Sequence, residues 1–299
     1  MWITLALISS LLLGLYDVCK KHSLNHNAVL PVLFLSVLAG FLPMPFLLAG
    51  SRLAPEAMQQ IHCYVPVATF SGHWHIFIKA FIVSMSWILA YFAMKHLPIS
   101  IVSPIRASGP VWTLIGALLI FHERPSAQQW IGMAIVFAAY YAFSLLGQKE
   151  GFHFHRSKWI LFIFLATFIG TFSTLYDKYL FQKLGYMPML VQFWFAFYNV
   201  VLLGLFTAIF WWPRRAAFTP FQWRWSIPLI GLFLVASDFT YFNSVHDPDA
   251  LIVVLSILRR SSVVVSFAAG CLMFKDINRC RKAWALAGVL AGVILIVLA

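Results

Sequence analysis

Asp17, Arg106, Asp177, Asp238, Arg259 and Arg260 are charged side chains that stand inside apolar stretches of this sequence. An ionised guanidinium in hydrocarbon costs roughly 2.5–3.5 kcal/mol even on lenient insertion scales, so each arginine needs a carboxylate, a water-filled cavity or a ligand. Guanidiniums at that depth suit an anion, which they grip through paired N–H donors. A carboxylate there can pair with them or carry a proton, because a low-dielectric setting raises its pKa. Asp238, Tyr241 and Asn243 follow at near-helical spacing and could line one wall of a cavity, with Tyr91 facing them. Interhelical hydrogen bonding is the plainer use for the tyrosines and the asparagine.

These residues come in two sets. A shift of 153 lays Arg106 on Arg259, Ser108 on Ser261, Phe121 on Phe274 and Glu123 on Asp276. A shift of 160 lays Leu15, Tyr16 and Asp17 on Leu175, Tyr176 and Asp177, and a shift of 150 lays Tyr91, Phe92, His96 and Pro98 on Tyr241, Phe242, His246 and Pro248. The order is the same in both halves, so one plan is used twice.

The elements that must carry these side chains are membrane helices. The chain is 62% hydrophobic and 10% charged, with a mean hydropathy of +0.87, whereas soluble domains are about 25% charged. At about 20 apolar residues per crossing, the length allows about ten spans and no sizeable soluble domain. Apolar runs predict helices over 2–20, 28–49, 76–95, 99–121, 129–146, 158–180, 187–212, 225–245, 250–274 and 284–298. The fold class expected is all-α, with ten transmembrane helices as two five-helix repeats, 1–147 and 158–299, joined by 148–157. An odd number of spans per repeat inverts the second against the first, an arrangement common in secondary transporters. The segment 51–75 is long enough to include a stretch lying at the interface.

Residues 91–113, from Tyr91 through Pro98, Pro104, Arg106 and Pro110 to Thr113, followed by Glu123, Arg124, Pro125 and then Gln129, Trp130, Ile131 and Gly132, resemble the EamA-type transporters of the drug/metabolite transporter superfamily. The resemblance covers both halves and implies a ten-helix carrier without naming its substrate. The second half departs from the pattern at Val263, where a proline would match Pro110, and in placing Arg260 after Arg259.

Depth relates the charges. If the first helix crosses from face A to face B, Asp17 lies roughly 10 Å short of face B and Arg106 roughly 12 Å below it, at 1.5 Å per residue. Asp177 and Arg259 repeat this from face A. The expected pairs are therefore Asp17 with Arg106 and Asp177 with Arg259, flanking a central cavity as gates or as fixed neutralisation. Arg260 has no symmetry-equivalent carboxylate in the sequence and would attract an anion, pair with Asp238, or reach for an interface.

Other signals carry less. His73 with His75, and His153 with His155, fall in predicted loops without further ligands, so no metal site is expected. Cys19, Cys63, Cys271 and Cys280 are scattered and indicate neither disulfides nor zinc. Trp159, Trp211, Trp212, Trp223 and Trp225 near predicted helix ends suit an interfacial belt. The beginning of the sequence has no basic region or small-residue cleavage site, so the first run is expected to remain as a helix. Phosphate loops and catalytic triads are absent, which argues against an enzyme.

The function expected is secondary transport of a small anionic or zwitterionic metabolite by alternating access. The carrier would sit in the plasma (inner) membrane as a monomer or homodimer, with protons as a possible coupling ion, no cofactor and no nucleic acid. The alternatives are a flippase for an anionic lipid or lipid-linked sugar, whose headgroup the same arginines would hold, and a membrane-embedded enzyme or sensor. The net charge of +12 is a topology signal. Lys20, Lys21, Lys95, Arg214, Arg215, Arg224 and Arg279 gather on face B, which the positive-inside rule makes cytoplasmic, with external termini. The resemblance implies cytoplasmic termini. A reporter active only in the cytoplasm, fused after Ala299, is expected to stay silent; activity would decide for the topology implied by the resemblance.

Overall fold

The computed structural model describes residues 1–97, 102, 105–106, 108–147, 158–216, 219–262, 264–265 and 279–298. The sequence features at Pro98, Pro104, His153, His155, Val263, Cys271, Phe274 and Asp276, and the joining segment 148–157, lie outside the described residues.

Among the described residues the regular structure is helical, without strands. The helices are α1 (Trp2–Leu24), α2 (Val29–Phe41), α3 (Met44–Leu53), α4 (Pro55–Gln60), α5 (Phe70–His96), α6 (Gly109–Ile120), α7 (Ala127–Gly147), α8 (Lys158–Lys178), α9 (Pro188–Phe206), α10 (Ser226–His246), α11 (Ile252–Arg260) and α12 (Arg279–Val297). Six candidate spans are long and apolar enough to cross a bilayer: Trp2–Leu24, Val29–Leu53, Phe70–His96, Lys158–Lys183, Pro188–Arg214 and Ser226–His246.

Local chemistry sets the ends. The Thr69 hydroxyl accepts from the Gly72 N–H at 3.1 Å and caps α5. The helix thus starts several residues before the predicted 76, and His73 and His75 belong to its first turns rather than to a loop. There His73 Nδ1 lies 3.0 Å from the Tyr198 hydroxyl and His75 Nδ1 3.0 Å from the Tyr186 hydroxyl. α6 begins at Gly109 with Pro110 in its first turn, where a missing N–H costs nothing. α8 widens into a π turn over Tyr179–Lys183. It stops at Gly185, whose φ of +67° only glycine adopts freely, and the Tyr186 N–H closes back on the Leu180 carbonyl at 3.1 Å.

The distribution of side chains is inverted relative to a soluble protein. Ser9, Ser84, Thr113, Thr171, Asn199 and Ser237 are buried, whereas Leu119, Leu161, Phe168, Phe172 and Ile209 are exposed. Small hydroxyls knit the interior: Ser9 Oγ lies 2.9 Å from Ser237 Oγ between α1 and α10, and Ser84 donates to Asn199 Oδ1 at 2.9 Å between α5 and α9. This is how helices associate where the surroundings are as apolar as leucine. Trp212, Trp223 and Trp225 are exposed near helix ends, the placement of an interfacial belt.

α1 packs along α10, α5 along α8, and α7 along α12; α2 touches both α9 and α10. α6 and α11 meet at the centre, α6 against α8 and α11 against α1. The α2–α10 crossing depends on absent side chains. A Cβ on Gly231 would fall 1.8 Å from the Ser36 carbonyl oxygen and 2.7 Å from the Gly40 nitrogen. Those are backbone atoms, so the helices would have to part. Gly231→Ala is expected to cost about 1–3 kcal/mol of overpacking, read as a lower melting temperature of the purified protein. Gly170→Ala, whose Cβ would meet Ser86 Oγ at 3.4 Å, should melt like the parent; equal melting of both variants would refute the close crossing.

Candidate binding cavity

A cavity of about 190 Å³ lies among α1, α5, α8, α9, α10 and α11, with Arg106, just before α6, also on its wall. It reaches from Lys79, Asp177 and Tyr241, in the middle of the helix bundle, to Lys20 and Met94 near the ends of α1 and α5 and Ile163 near the start of α8. Its charges fall into two tiers.

The inner tier is balanced. The Lys79 ammonium on α5 is hydrogen-bonded to Asp177 Oδ1 on α8, with both residues buried. Lys79 also stands over the rings of Phe195 and Phe242, at 4.6 and 4.9 Å from their centroids. The Arg259 guanidinium on α11 donates to Asp238 Oδ1 on α10 and lies 4.0 Å above the Tyr241 ring. Two cations meet two carboxylates. Pairs of this kind persist in a low dielectric because each partner offsets the other's desolvation.

The outer tier gathers around Asp17 and Lys20. Lys20 Nζ lies 2.5 Å from Asp17 Oδ1, one turn earlier on α1, and 4.3 Å from the centre of the Tyr16 ring. A Cβ on Gly109 would come within 3.1 Å of Arg260 Nη2, so the glycine leaves room for the guanidinium. The Tyr16 and Tyr91 hydroxyls lie 3.1 Å apart beside this group. Lys20, Arg106 and Arg260 all line the cavity.

Beyond the inner tier the bundle is plugged. The Phe181 and Phe242 rings meet at 5.2 Å. The Gln182 amide donates to the carbonyls of Val245, Asp247 and Ala250 at 2.8–3.2 Å. Lys178 Nζ pairs with Glu123 Oε1 at 2.5 Å, and the Glu123 carboxylate accepts the Ile252 N–H at 2.7 Å and the Val253 N–H at 3.3 Å. A carboxylate over the first amides of α11 satisfies donors that have no partner within that helix.

The EamA-like transporter family model matches residues 1–145. Residues 1–145 belong to the EamA-like transporter family, within the drug/metabolite transporter superfamily. A crystal structure of another protein, 15% identical, superposes with a TM-score of 0.74 over 99% of this chain and 96% of its own, which shows a shared fold. A search of curated proteins gave no match. With its apolar helices, this EamA-like protein is a multi-pass integral membrane protein.

Of the expected site residues, Arg106, Arg259, Arg260, Tyr91, Tyr241, Asp177 and Asp238 line this cavity of the EamA-like fold, and Asp17 stands behind Lys20. Asn243 is not brought there; its amide donates to the Phe239 carbonyl, one turn back on α10, at 2.7 Å. The partners differ from those expected. Asp177 takes Lys79 instead of Arg259, because α5 lies along α8 and sets the ammonium at the level of the carboxylate. Arg259 takes Asp238, and Asp17 bonds Lys20. Lys79 was missed although it obeys the rule that singled out Arg106, a cation within an apolar run. Lys20 was counted as a topology signal because it lies near the end of its run.

Removing one partner of a buried ion pair costs about 3–5 kcal/mol, whereas removing both can be nearly neutral. Lys79→Met and Asp177→Leu are each expected to lower the melting temperature sharply, and the double variant should lose clearly less than the sum. Additive losses would mean that the two groups are not coupled.

Proposed function

We propose that this chain is a secondary carrier that exchanges a small organic anion across the plasma (inner) membrane by alternating access. Its ten helices would form two inverted repeats, 1–147 and 158–299. Support for the repeat comes from the packing. Exchange α1 with α8, α2 with α9, α5 with α10, α6 with α11 and α7 with α12, and each major contact becomes another: α1–α10 becomes α8–α5, α2–α10 becomes α9–α5, and α1–α11 becomes α8–α6. The contacts α2–α9, α6–α11 and α7–α12 map onto themselves. At the α7–α12 crossing Gly132 faces Gly292, 160 positions later, and a Cβ on either would fall 2.7–2.9 Å from the other's carbonyl oxygen. A two-fold axis in the membrane plane accounts for this pattern.

The observation that carries the function is the cavity at the junction of the proposed repeats, lined by equivalent residues from both: Arg106 and Arg259, Tyr91 and Tyr241. Arg106, Arg259, Arg260, Tyr91 and Tyr241 are the proposed substrate contacts, and Asp17, Asp177 and Asp238 the groups whose pairing changes as the carrier turns over. Protons are the proposed coupling ion. A cavity that extends toward one end of the helices, with an aromatic and ion-paired plug at the other, suits one of two access states. Rocking the repeats would part Lys178 from Glu123 and close the outer tier.

In proteoliposomes preloaded with a mixture of unlabelled organic anions, uptake of a matching labelled anion is expected without chemical change. Arg106→Gln should cut the rate at least tenfold. Exchange of no solute, with accelerated flipping of a labelled anionic lipid, would replace the carrier reading with a flippase.

A further inference from the structure

We propose that Lys79 is the seat for the carboxylate of a small organic acid and that Asp177, displaced from it, takes up a proton, so that each carboxylate seated there is bound together with one proton. This rests on the reading of the cavity as a substrate site and adds the substrate class and the proton site to it. The Lys79 ammonium is bonded to Asp177 Oδ1, and both residues line the cavity at its inner tier. The rings of Phe195 and Phe242 hold the ammonium, at 4.6 and 4.9 Å from their centroids, so it keeps its place on the wall when the aspartate leaves. The position that opens has held a carboxylate, and a guest carboxylate fits it like for like. The cavity volume of about 190 Å³ falls below the roughly 300–1,000 Å³ of pockets for drug-sized ligands, which limits the guest to a few heavy atoms.

The inner tier has two ion pairs, and burial decides which of them takes the proton. The side chains of Lys79 and Asp177 are 2% and 6% exposed, those of Arg259 and Asp238 22% and 9%. In the drier place a carboxylate that loses its cation is too costly to stay ionised, and it neutralises by taking a proton. Arg259 is already engaged by Asp238 and lies over the Tyr241 ring. The charges balance: the guest brings one negative charge to Lys79, and the proton removes one from Asp177. Asp177 also stands where the proposed rocking would act. It immediately precedes Lys178, whose ammonium meets Glu123 in the plug, and the π turn of Tyr179–Lys183 follows, a distortion frequent at functional sites. Parting Lys178 from Glu123 moves the same turn of α8 that carries Asp177.

Other titratable groups face this part of α8. α5 brings His75, one turn before Lys79 and bonded to the Tyr186 hydroxyl. α10 brings Asp238 and Tyr241 on the cavity and His246 against the Phe181 ring, and α11 brings Arg259 and Arg260. Beyond α6, Glu123 is held by Lys178. Of these, the histidines ordinarily titrate near neutral pH and serve as controls.

The test is calorimetric titration of the purified full chain in nanodiscs with lactate, butyrate and succinate at pH 7.5, each in two buffers of different ionisation enthalpy, so that the difference in heat counts protons. Such acids are ionised at that pH, and a proton taken up goes to the protein. At least one acid should bind with uptake of close to one proton. Because the bound state holds the extra proton, its affinity should fall by about tenfold from pH 7 to pH 8. Asp177→Asn, which carries the neutral form permanently, should take up no proton and bind at pH 8 more tightly than the parent, a gain that damaged folding does not produce. Lys79→Met combined with Asp177→Leu, which leaves no buried charge unpaired, should fold and lose binding. His75→Gln and His246→Gln should keep the uptake. Binding of none of the three acids, binding without proton uptake, or an uptake that survives Asp177→Asn or vanishes in a histidine variant would overturn the proposal. If anion counterflow persists in that event, the carrier reading stands without it; if no anion is exchanged, the carrier reading falls as well.

Discussion

The structure depends on a single constraint: a charge held among membrane helices must have its counter-charge within reach. Lys79 with Asp177 and Arg259 with Asp238 satisfy it by direct ion pairs between different helices. Lys178 with Glu123 satisfies it while the same carboxylate also takes the first amides of α11. Each pair is a distance restraint on the bundle: α5 to α8, α10 to α11, and α8 to the segment after α6. The apolar side chains, alike on every face, supply no comparable instruction. The same cavity also receives Arg106 and Arg260, and there the binding function is proposed.

The remaining devices serve close approach. Small residues at the crossings, Gly231 over Ser36 and Gly132 against Gly292, let backbones meet, and serine and threonine hydroxyls bond across the seams. This gives dense packing without an aqueous hydrophobic effect between helices. It also keeps the polar material inside, so that a cavity among the helices is wettable and the outer surface is not.

Much of this was legible in the residues. Hydropathy placed the helices because the backbone must satisfy its own hydrogen bonds in lipid, and the repeated tyrosine–aspartate and arginine–serine positions are what first suggest the proposed two-part plan. Arg106, Arg259 and Arg260 reach one cavity, as residues too costly to face lipid should. The partners were not legible. Depth along a helix fixes the level of a charge but not its azimuth, and azimuth decides that Asp177 looks at Lys79. Lys79 itself shares the rule that flagged Arg106, and Glu123 was read only in a repeat match and in the motif that carries the resemblance, although it caps a helix more than a hundred residues away. Asn243, predicted at helical spacing with Asp238 and Tyr241, spends its amide on its own helix.

These charges are proposed to face a water-filled, electropositive hollow among the helices rather than lipid. In a chain freed of its native cysteines, Ser173→Cys lies on the cavity and Phe172→Cys on the exposed apolar surface. Their rates of reaction with thiosulfonate reagents bearing a sulfonate or a quaternary ammonium test the claim directly. The account expects Ser173→Cys to react, faster with the anionic reagent than with the cationic one, and Phe172→Cys to be inert to both. An unreactive Ser173→Cys, or one that favours the cationic reagent, would contradict it.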